Sequence, residues 1–348
     1  MKVLITGGTG FVGSHAAAAM AADGHQLRFL VRDEARVHAA IGPLGATASD
    51  VVVGDVMNAS TVERALDGCD AVLHAANVYS TDPRRREEMM HVNRDGTDQL
   101  LQLAHRAECN PIVYVSSIVA LVPSSTPVLQ LDGPVGSSPC PYSASKAVGE
   151  QVARGYQECG APVVITNPGG VFGPHDPGAG EMVHLLRGFL GNRFPFFFFR
   201  GGIPIVDVRW LARVHAALFG RATTPRRIHC GGRFVPWNDL FTVLRRLTGR
   251  RLPNPIPSPP IAALALGRLA NALQGTVSVR MPFSHESAWL TLNSAPTDDT
   301  EAEHLAGVPP PPVEATLADA IRWATGQDLL PHAWAGDLVQ CTSTADRG

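Results

Sequence analysis

Short apolar runs recur through the first half of the chain at residues 3–5, 27–31, 51–53, 71–74, 112–115 and 163–165. Between them, residues 12–23, 85–107 and 142–158 carry apolar positions at helical spacing. Strand-length runs separated by helix-length segments are the pattern of βαβ units, in which each parallel strand needs a crossover helix to reach the next. Gly24 and Gly160 fall where helices of this register end in a C-terminal cap. The pattern predicts an α/β protein built on a doubly wound parallel sheet.

After residue 172 the alternation is lost. Residues 173–178 read Gly-Pro-His-Asp-Pro-Gly and form a loop, 194–199 is a dense aromatic run, and 251–260 is rich in proline. Residues 205–208 and 227–230 resume a strand pattern and are expected to return to the main sheet, with a helix over 210–220 between them. The expected division is therefore a nucleotide-binding unit over 1–172 and 205–232. A smaller, discontinuous C-terminal substrate lobe covers 173–204 and 233–330, and residues 331–348 form a mobile tail.

Composition narrows the classes. Lys and Arg together number 29 against 31 Asp and Glu, a net charge of −2, so no basic excess supports binding to nucleic acid or to an anionic membrane. The six cysteines are scattered without a Cys-x-x-Cys pair, which favours neither a disulfide framework nor a zinc ribbon. The apolar stretch 261–273 is too short to span a bilayer and is interrupted by Arg268. With a buried strand starting at Val3, no signal peptide is expected and a cytoplasmic protein is. Histidines and carboxylates show no metal-ligand spacing, so no metal is expected.

The chemistry concentrates in two places. Thr6-Gly7-Gly8-Thr9-Gly10-Phe11-Val12-Gly13 lies between the first strand and the first helix, where glycines let the backbone approach a pyrophosphate and the helix terminus offers free N–H groups. Gly7, Thr9, Gly10, Phe11, Val12 and Gly13 are the candidate phosphate-side contacts of a dinucleotide. At the end of the second strand, where a ribose-binding acid is expected, the chain reads Val31-Arg32-Asp33. Arg32 can pair with a 2′-phosphate and favours NADP(H); the alternative is that Asp33 holds the ribose and NAD(H) binds. The second place is Tyr142-Ser143-Ala144-Ser145-Lys146, which sets a phenol and an ammonium on one helix face, a donor and acceptor of protons for a carbonyl or an alcohol.

Loop and Tyr-x-x-x-Lys together resemble an extended short-chain dehydrogenase/reductase, and the resemblance runs to about residue 330. It implies roles for further residues. Asp55 and Val56 correspond to the adenine-side segment, Ala75 and Ala76 to the turn after the fourth strand, and Asn93 to the helix-four motif, where a structural bridge and a catalytic role are equally open. Ser117, the second serine of Tyr114-Val115-Ser116-Ser117, matches the active-site serine. Pro168 and Val171, within Asn167 to Pro174, match the segment at the nicotinamide end. Within the superfamily, Val31-Arg32-Asp33, Asn-Pro-x-x-Val-x-Gly-Pro and Val206-Asp207-Val208-Arg209 look most like the dihydroflavonol reductase and 3β-hydroxysteroid dehydrogenase branch. The Tyr-Gly of epimerases after Ser117 and the Thr-Asp-Glu of dehydratases are absent, and Trp210 replaces an aspartate common at that position.

The resemblance implies that hydride passes between NADP(H) or NAD(H) and a largely apolar carbonyl or secondary alcohol. Ser117, Tyr142 and Lys146 would be catalytic; Tyr142 and Lys146 would also touch the cofactor, with Lys146 lowering the phenol's pKa. Val78, Tyr79, Val119, Phe172 and the run 194–199 are expected to shape the pocket. A sugar-nucleotide epimerase or dehydratase with tightly bound NAD and a non-catalytic dinucleotide-binding regulator are the alternatives. A homodimer is compatible with the chain, and nucleic acid and a membrane span are not expected.

Overall fold

The first strand shows how the sheet is made two-sided. In β1 (Lys2–Thr6) Val3 and Ile5 belong to one apolar cluster and Leu4 to another, because alternate side chains leave opposite faces of a strand. A strand buried on both faces reads as an unbroken apolar run, which is what the sequence shows. The computed structural model describes residues 1–80, 83–191, 197–198, 201–220, 223–257, 259–276 and 284–340. Its further strands are β2 (Gln26–Val31), β3 (Asp50–Val53), β4 (Ala71–His74), β5 (Ile112–Val115), β6 (Val163–Pro168), β7 (Gly170–Phe172), β8 (Phe197–Phe198), β9 (Gly202–Asp207), β10 (Arg226–Cys230), β11 (Arg233–Pro236) and β12 (Ile256–Pro257).

Seven of these form one parallel sheet in the order β10-β6-β5-β4-β1-β2-β3. The winding reverses between β1 and β4. At such a switch point the flanking crossovers diverge and leave a crevice beyond the strands' carboxyl ends. Here the crevice opens at Thr6 and His74, which are register partners. On one face, Phe11–Ala22 and Val208–Ala217 pack over Val3, Ile5 and Phe29. On the other, Ala59–Leu66, Thr97–Arg106 and Pro141–Glu158 cover Leu4, Leu30, Val72 and Ile112. Trp210 is buried in the first cluster and donates its indole N–H to the Val308 carbonyl, so the residue standing in place of aspartate is a core anchor.

Three expectations change. Residues 205–208 do not rejoin the main sheet. β9 lies between β11 and β7 in a separate three-stranded sheet, with Gly170 opposite Ile205 and Phe172 opposite Asp207, and this leaves the position beside β6 to β10. The helix expected over 85–107 is divided into Arg86–Met90, a wide π turn over His91–Gly96 and Thr97–Arg106. Part of the expected tail is packed: His332–Ala335 and Asp337–Gln340 bury Ala335 and Leu338 in an apolar cluster with Glu181–Gly191, Trp237–Thr248 and Val313–Gly326. Its apolar spacing was too short to read as a helix. The side chains of the aromatic run 194–199, with Arg193 and Arg200, lie outside the described residues. Among the described residues, no helix is long and apolar enough to cross a membrane.

Candidate active site

The glycine loop is shaped by two contacts that no side chain could share. Gly7 has φ +72°, and a Cβ there would lie 2.4 Å from the backbone of Ala75 and Ala76, so the end of β1 presses on the turn after β4. A Cβ on Gly13 would lie 2.3 Å from the Gly7 carbonyl oxygen, which brings the first helical turn against the loop. Gly10 is the N-cap and offers no side chain to the helix Phe11–Ala22, so the terminus keeps its positive end for an anion. Thr9, Gly10, Phe11, Val12 and Gly13 line one wall of a cavity of about 690 Å³, joined by Gly7, Ala75 and Ala76. A loop with glycines at 7, 10 and 13 beside an uncapped helix start fits a dinucleotide's diphosphate.

At the far end of this cavity Arg32 lines the wall with Asp55 and Val56, and so does Arg36, which the sequence reading did not single out. Asp33 does not line it. Its Oδ1 accepts the backbone N–H of Ala35 at 3.0 Å, a local turn that occupies the carboxylate. Asp55 likewise accepts the Met57 N–H at 2.9 Å. Of the two strand-end residues, Arg32 lines the cavity and Asp33 is tied into its own turn.

The opposite end is assembled from separate elements. Ser117, at the end of β5, donates to the Pro168 carbonyl at 3.3 Å and lines the cavity. Its neighbour Ser116 is turned away and donates to Glu150 at 2.6 Å. Tyr142 lies in the first turn of Pro141–Glu158, lines the cavity, and packs edge-on against Tyr79 with ring centroids 4.5 Å apart. Lys146 is buried beneath it: Nζ donates to the Val115 carbonyl at 3.0 Å and sits 5.2 Å from the Tyr114 ring centre. Burial lowers the Lys146 pKa to about 8, with Glu150 opposing. Lys146 and Pro168 are not among the cavity-lining residues, whereas Ser117, Tyr142 and Val171 are.

The phenol departs from expectation. Burial, then the Glu286 and Glu181 carboxylates, push the Tyr142 hydroxyl well above the ordinary tyrosine range. The cation expected to lower it is held by the Val115 carbonyl, and the nearby charges that act on the phenol are negative. The Asn93 side chain bridges the π turn to the segment after β4. Its amide bonds both the N–H and the C=O of Val78, at 2.7 and 2.9 Å, and donates to Ser145 Oγ at 2.9 Å.

Asn93 also belongs to a chain of hydrogen bonds that runs under the cavity. Thr97 Oγ1 donates to the Asn93 carbonyl at 2.8 Å, so the His74 Nε2–H must be the donor in its 3.1 Å contact with Thr97 Oγ1. His74 Nδ1 then accepts from Thr6 at 2.7 Å, and Ser145 donates to the Tyr142 carbonyl at 2.7 Å. The chain therefore links the glycine loop to the tyrosine helix.

Val78, Tyr79, Val119, Met182, Leu185, Ile203, Trp237 and Leu290 make the reaction end largely apolar, while Phe172 lies outside this cavity. Glu181 and Glu286 also line it. Neither carboxylate was legible in the sequence, because both come from the region without periodic pattern.

A family model described as the NAD dependent epimerase/dehydratase family matches residues 3–194. A Synechocystis sp. protein provisionally named dihydroflavonol 4-reductase is 27% identical over 336 residues, 92% of this chain and 93% of its own. Sterol demethylase protein B of Methylococcus capsulatus is 25% identical over 334 residues, 95% of this chain and all of its own. The crystal structure of gox2253 superposes with a TM-score of 0.76 at 27% identity, covering 94% of this chain and 99% of that one. The UDP-glucuronic acid 4-epimerase of Bacillus cereus, solved with UDP-glucuronic acid and NAD, shares the fold with a TM-score of 0.71 at 18% identity, over 94% and 100%. With the matched model spanning the glycine loop, Ser117, Tyr142 and Lys146, the chain belongs to the NAD dependent epimerase/dehydratase family and is an NAD(P)-dependent oxidoreductase of the extended short-chain type.

Proposed function

We propose that this protein interconverts a carbonyl and a secondary alcohol on a largely apolar small molecule, with NADP(H) preferred over NAD(H). One observation carries the reading: Ser117 and Tyr142 line the same cavity as the glycine cradle, and the walls around them are mostly apolar. Gly7, Thr9, Gly10, Phe11, Val12 and Gly13 would hold the cofactor's diphosphate, Arg32 its adenosine 2′-phosphate, and Asp55, Val56, Ala75 and Ala76 its adenosine side. Val171 and Tyr142 would bound its nicotinamide half, with Pro168 and Lys146 behind them. When bound, the nicotinamide supplies or accepts the hydride.

The protein's own part is proton transfer. Tyr142 gives its phenolic proton to the carbonyl oxygen in reduction and takes it back in oxidation. Ser117 hydrogen-bonds the same oxygen, and a donor aimed at developing negative charge is a large term in a site closed to water. Tyr142 is a neutral phenol at neutral pH, the protonation state from which reduction starts. Among the described residues, the cations lining the cavity are Arg32 and Arg36, both at the adenosine end, while Glu181 and Glu286 line the other. That distribution disfavours a sugar nucleotide, whose second diphosphate would call for cationic partners at the reaction end.

The test is a panel of neutral ketones, aldehydes and secondary alcohols assayed with NADPH and with NADH by nicotinamide absorbance. Turnover of apolar carbonyls is expected, and Tyr142→Phe should reduce it by ~10²-fold or more with cofactor affinity nearly unchanged, the scale of losing a general acid. Tight cofactor binding without turnover across the panel would favour a silent binding protein, and specific UDP-sugar binding in calorimetry an epimerase.

A further inference from the structure

The helix that carries Tyr142 begins without a cap of its own. Its N-cap is Cys140, whose side chain accepts no hydrogen bond from the helix, and Pro141 follows it. The N–H groups of the first turn nevertheless have a partner, supplied from a residue 144 positions further along the chain. Glu286 Oε1 accepts from the Ser143 N–H and from the Ser143 hydroxyl, both at 2.8 Å, and Oε2 accepts from the Tyr142 N–H at 3.3 Å. All three partners are donors, which favours the ionised carboxylate and opposes the burial that, with Glu181, raises its pKa above the usual carboxylate range. Glu286 is 5% exposed, belongs to the helix His285–Asn293, and itself lines the cavity.

We propose that Glu286 is a positioning residue for Tyr142: from the helix His285–Asn293 its carboxylate clamps the first turn of the tyrosine helix and stands as a buried negative charge on the cavity wall that Tyr142 shares. The inference rests on the reading of Tyr142 as the proton donor and adds to it the group that sets where and how firmly the proton is held. A carboxylate at a helix N-terminus is stabilising through the positive end of the helix, so the clamp is favourable in itself. A negative charge beside a phenol disfavours phenolate, and Tyr142 is accordingly raised, first by burial, then by Glu286 and then by Glu181.

The other groups around the phenol are accounted for element by element. Tyr79, after β4, touches the Tyr142 ring, is itself raised well above the usual range by burial and then by Glu181, and shares a hydrogen bond with that carboxylate. Glu181 comes from the helix Glu181–Gly191. Lys146, one turn along the same helix, is bonded to the Val115 carbonyl. On Glu286's own helix His285 meets Cys140 Sγ at 3.6 Å and is held below its usual range by burial and by Arg268 of Pro260–Thr276. Of these, the charge that touches the backbone of Tyr142 is Glu286.

The experiment needs no substrate. Tyrosine ionisation is followed by ultraviolet absorbance against pH, with saturating NADP⁺, in the wild type, Glu286→Gln and Tyr142→Phe; the chain has 4 tyrosines, and the Tyr142 contribution is the signal lost in Tyr142→Phe. Glu286→Gln keeps the acceptor oxygen and removes the charge, so Tyr142 should ionise about one pH unit lower, the scale of one nearby like charge. In parallel, hydrogen exchange at the Tyr142 and Ser143 amides should speed up about tenfold or more in Glu286→Ala, whereas Ser143→Ala, which keeps the charge, should leave the Tyr142 titration in place. A Tyr142 signal at the same pH in wild type and Glu286→Gln, or in neither below the pH at which the fold is lost, overturns the proposal. Should Glu286→Gln fail to fold, Glu286→Asp draws the charge back and should move the titration the same way by less; no movement overturns the proposal there. Turnover surviving in Tyr142→Phe removes the proton-donor reading, while an unmoved titration removes only the role of Glu286.

Discussion

The two ends of the cavity are made by opposite means. The glycine-loop end, read above as the diphosphate site, is one contiguous segment, Gly7 to Gly13, whose shape follows from missing side chains: the Ala75 and Ala76 backbone and the Gly7 carbonyl occupy the space that Cβ atoms would take. The reaction end is a convergence of distant side chains, Ser117 against Pro168 and Glu286 on the tyrosine helix. Backbone approach follows from the pairing of β1 with β4, whereas the Tyr142 end also needs the helix His285–Asn293 against the tyrosine helix. The Thr6-His74-Thr97-Asn93-Ser145 chain is the one hydrogen-bonded path described above between them. The contrast implies that substitutions at the first end act through sterics and at the second through charge.

The largest effect should come from breaking the diphosphate end alone. Gly13→Val would drive a branched side chain into the Gly7 carbonyl, whose oxygen lies 2.3 Å from even a Cβ. The first helical turn must then withdraw, and cofactor affinity should fall by more than ~10²-fold, the scale of losing several charge-assisted hydrogen bonds to the diphosphate. Exchange protection of the Tyr142 and Ser143 amides should persist, because Glu286 does not touch the loop. Calorimetry with NADPH and exchange mass spectrometry read both; joint loss of the two would show that the ends are not independently built.

Mild acid should sharpen the same division. Burial holds His74 neutral, its pKa lowered to about 3, and His15, whose Nε2 meets the Pro174 and His175 carbonyls, is lowered to about 4. An unfolded histidine titrates near ~6.5, so above that pH neither costs stability. Below it the unfolded chain binds protons that the folded one refuses, and each residue costs about 1.4 kcal/mol per pH unit until its folded pKa is reached. At pH 5 that is ~2 kcal/mol for each, on the order of a thirtyfold change in the opening equilibrium. Both residues sit at the glycine-loop end, so amides of residues 6–15 should lose protection between pH 6.5 and 5 before those of 142–146. His74→Gln should flatten the dependence, and equal loss at both ends would refute the division.

The same contrast explains what could be read from the chain. Residues 7–13 and the Tyr142, Lys146 pair are legible because their chemistry depends on spacing within one turn or one helix. The sheet follows from apolar runs such as 71–74 and 112–115, buried on both faces. Glu286 is invisible in sequence, since nothing marks a glutamate in an irregular region as the cap of a helix 144 residues away. The expectation that Lys146 lowers the Tyr142 pKa went the other way because it counted the cation on the helix and neither the burial of the phenol, the larger cause, nor the carboxylates brought to it. Residues 205–208 carry a strand pattern that cannot say which sheet they join; pairing with β7 decided it. Arg36 escaped notice because it stands in the helix Ala35–Ile41, past the strand end that carries Arg32, and only the turn between β2 and that helix brings both to the cavity.

The smallest expected effect concerns cofactor choice at the adenosine end, where the sterics of the loop give way to charge. Arg32 and Arg36 line the cavity and Asp33 is engaged by the Ala35 N–H. Glu88 also lines it, and is held below the usual carboxylate range chiefly by its hydrogen bond from Arg85, at 2.7 Å, which offsets its repulsion of a phosphate. A guanidinium facing the 2′-position adds a charge-assisted hydrogen bond to a phosphate and little to a hydroxyl. Arg32→Ala should therefore raise the NADPH dissociation constant about tenfold, the loss of one hydrogen bond to a charged group, and barely change that of NADH. Arg36→Ala should act in the same direction, and the double substitution should exceed either single one if both cations reach the same phosphate. Fluorescence titration of both cofactors against the three variants decides it: equal losses for NADPH and NADH, or tighter binding of NADH by the wild type, would return the adenosine site to Asp33.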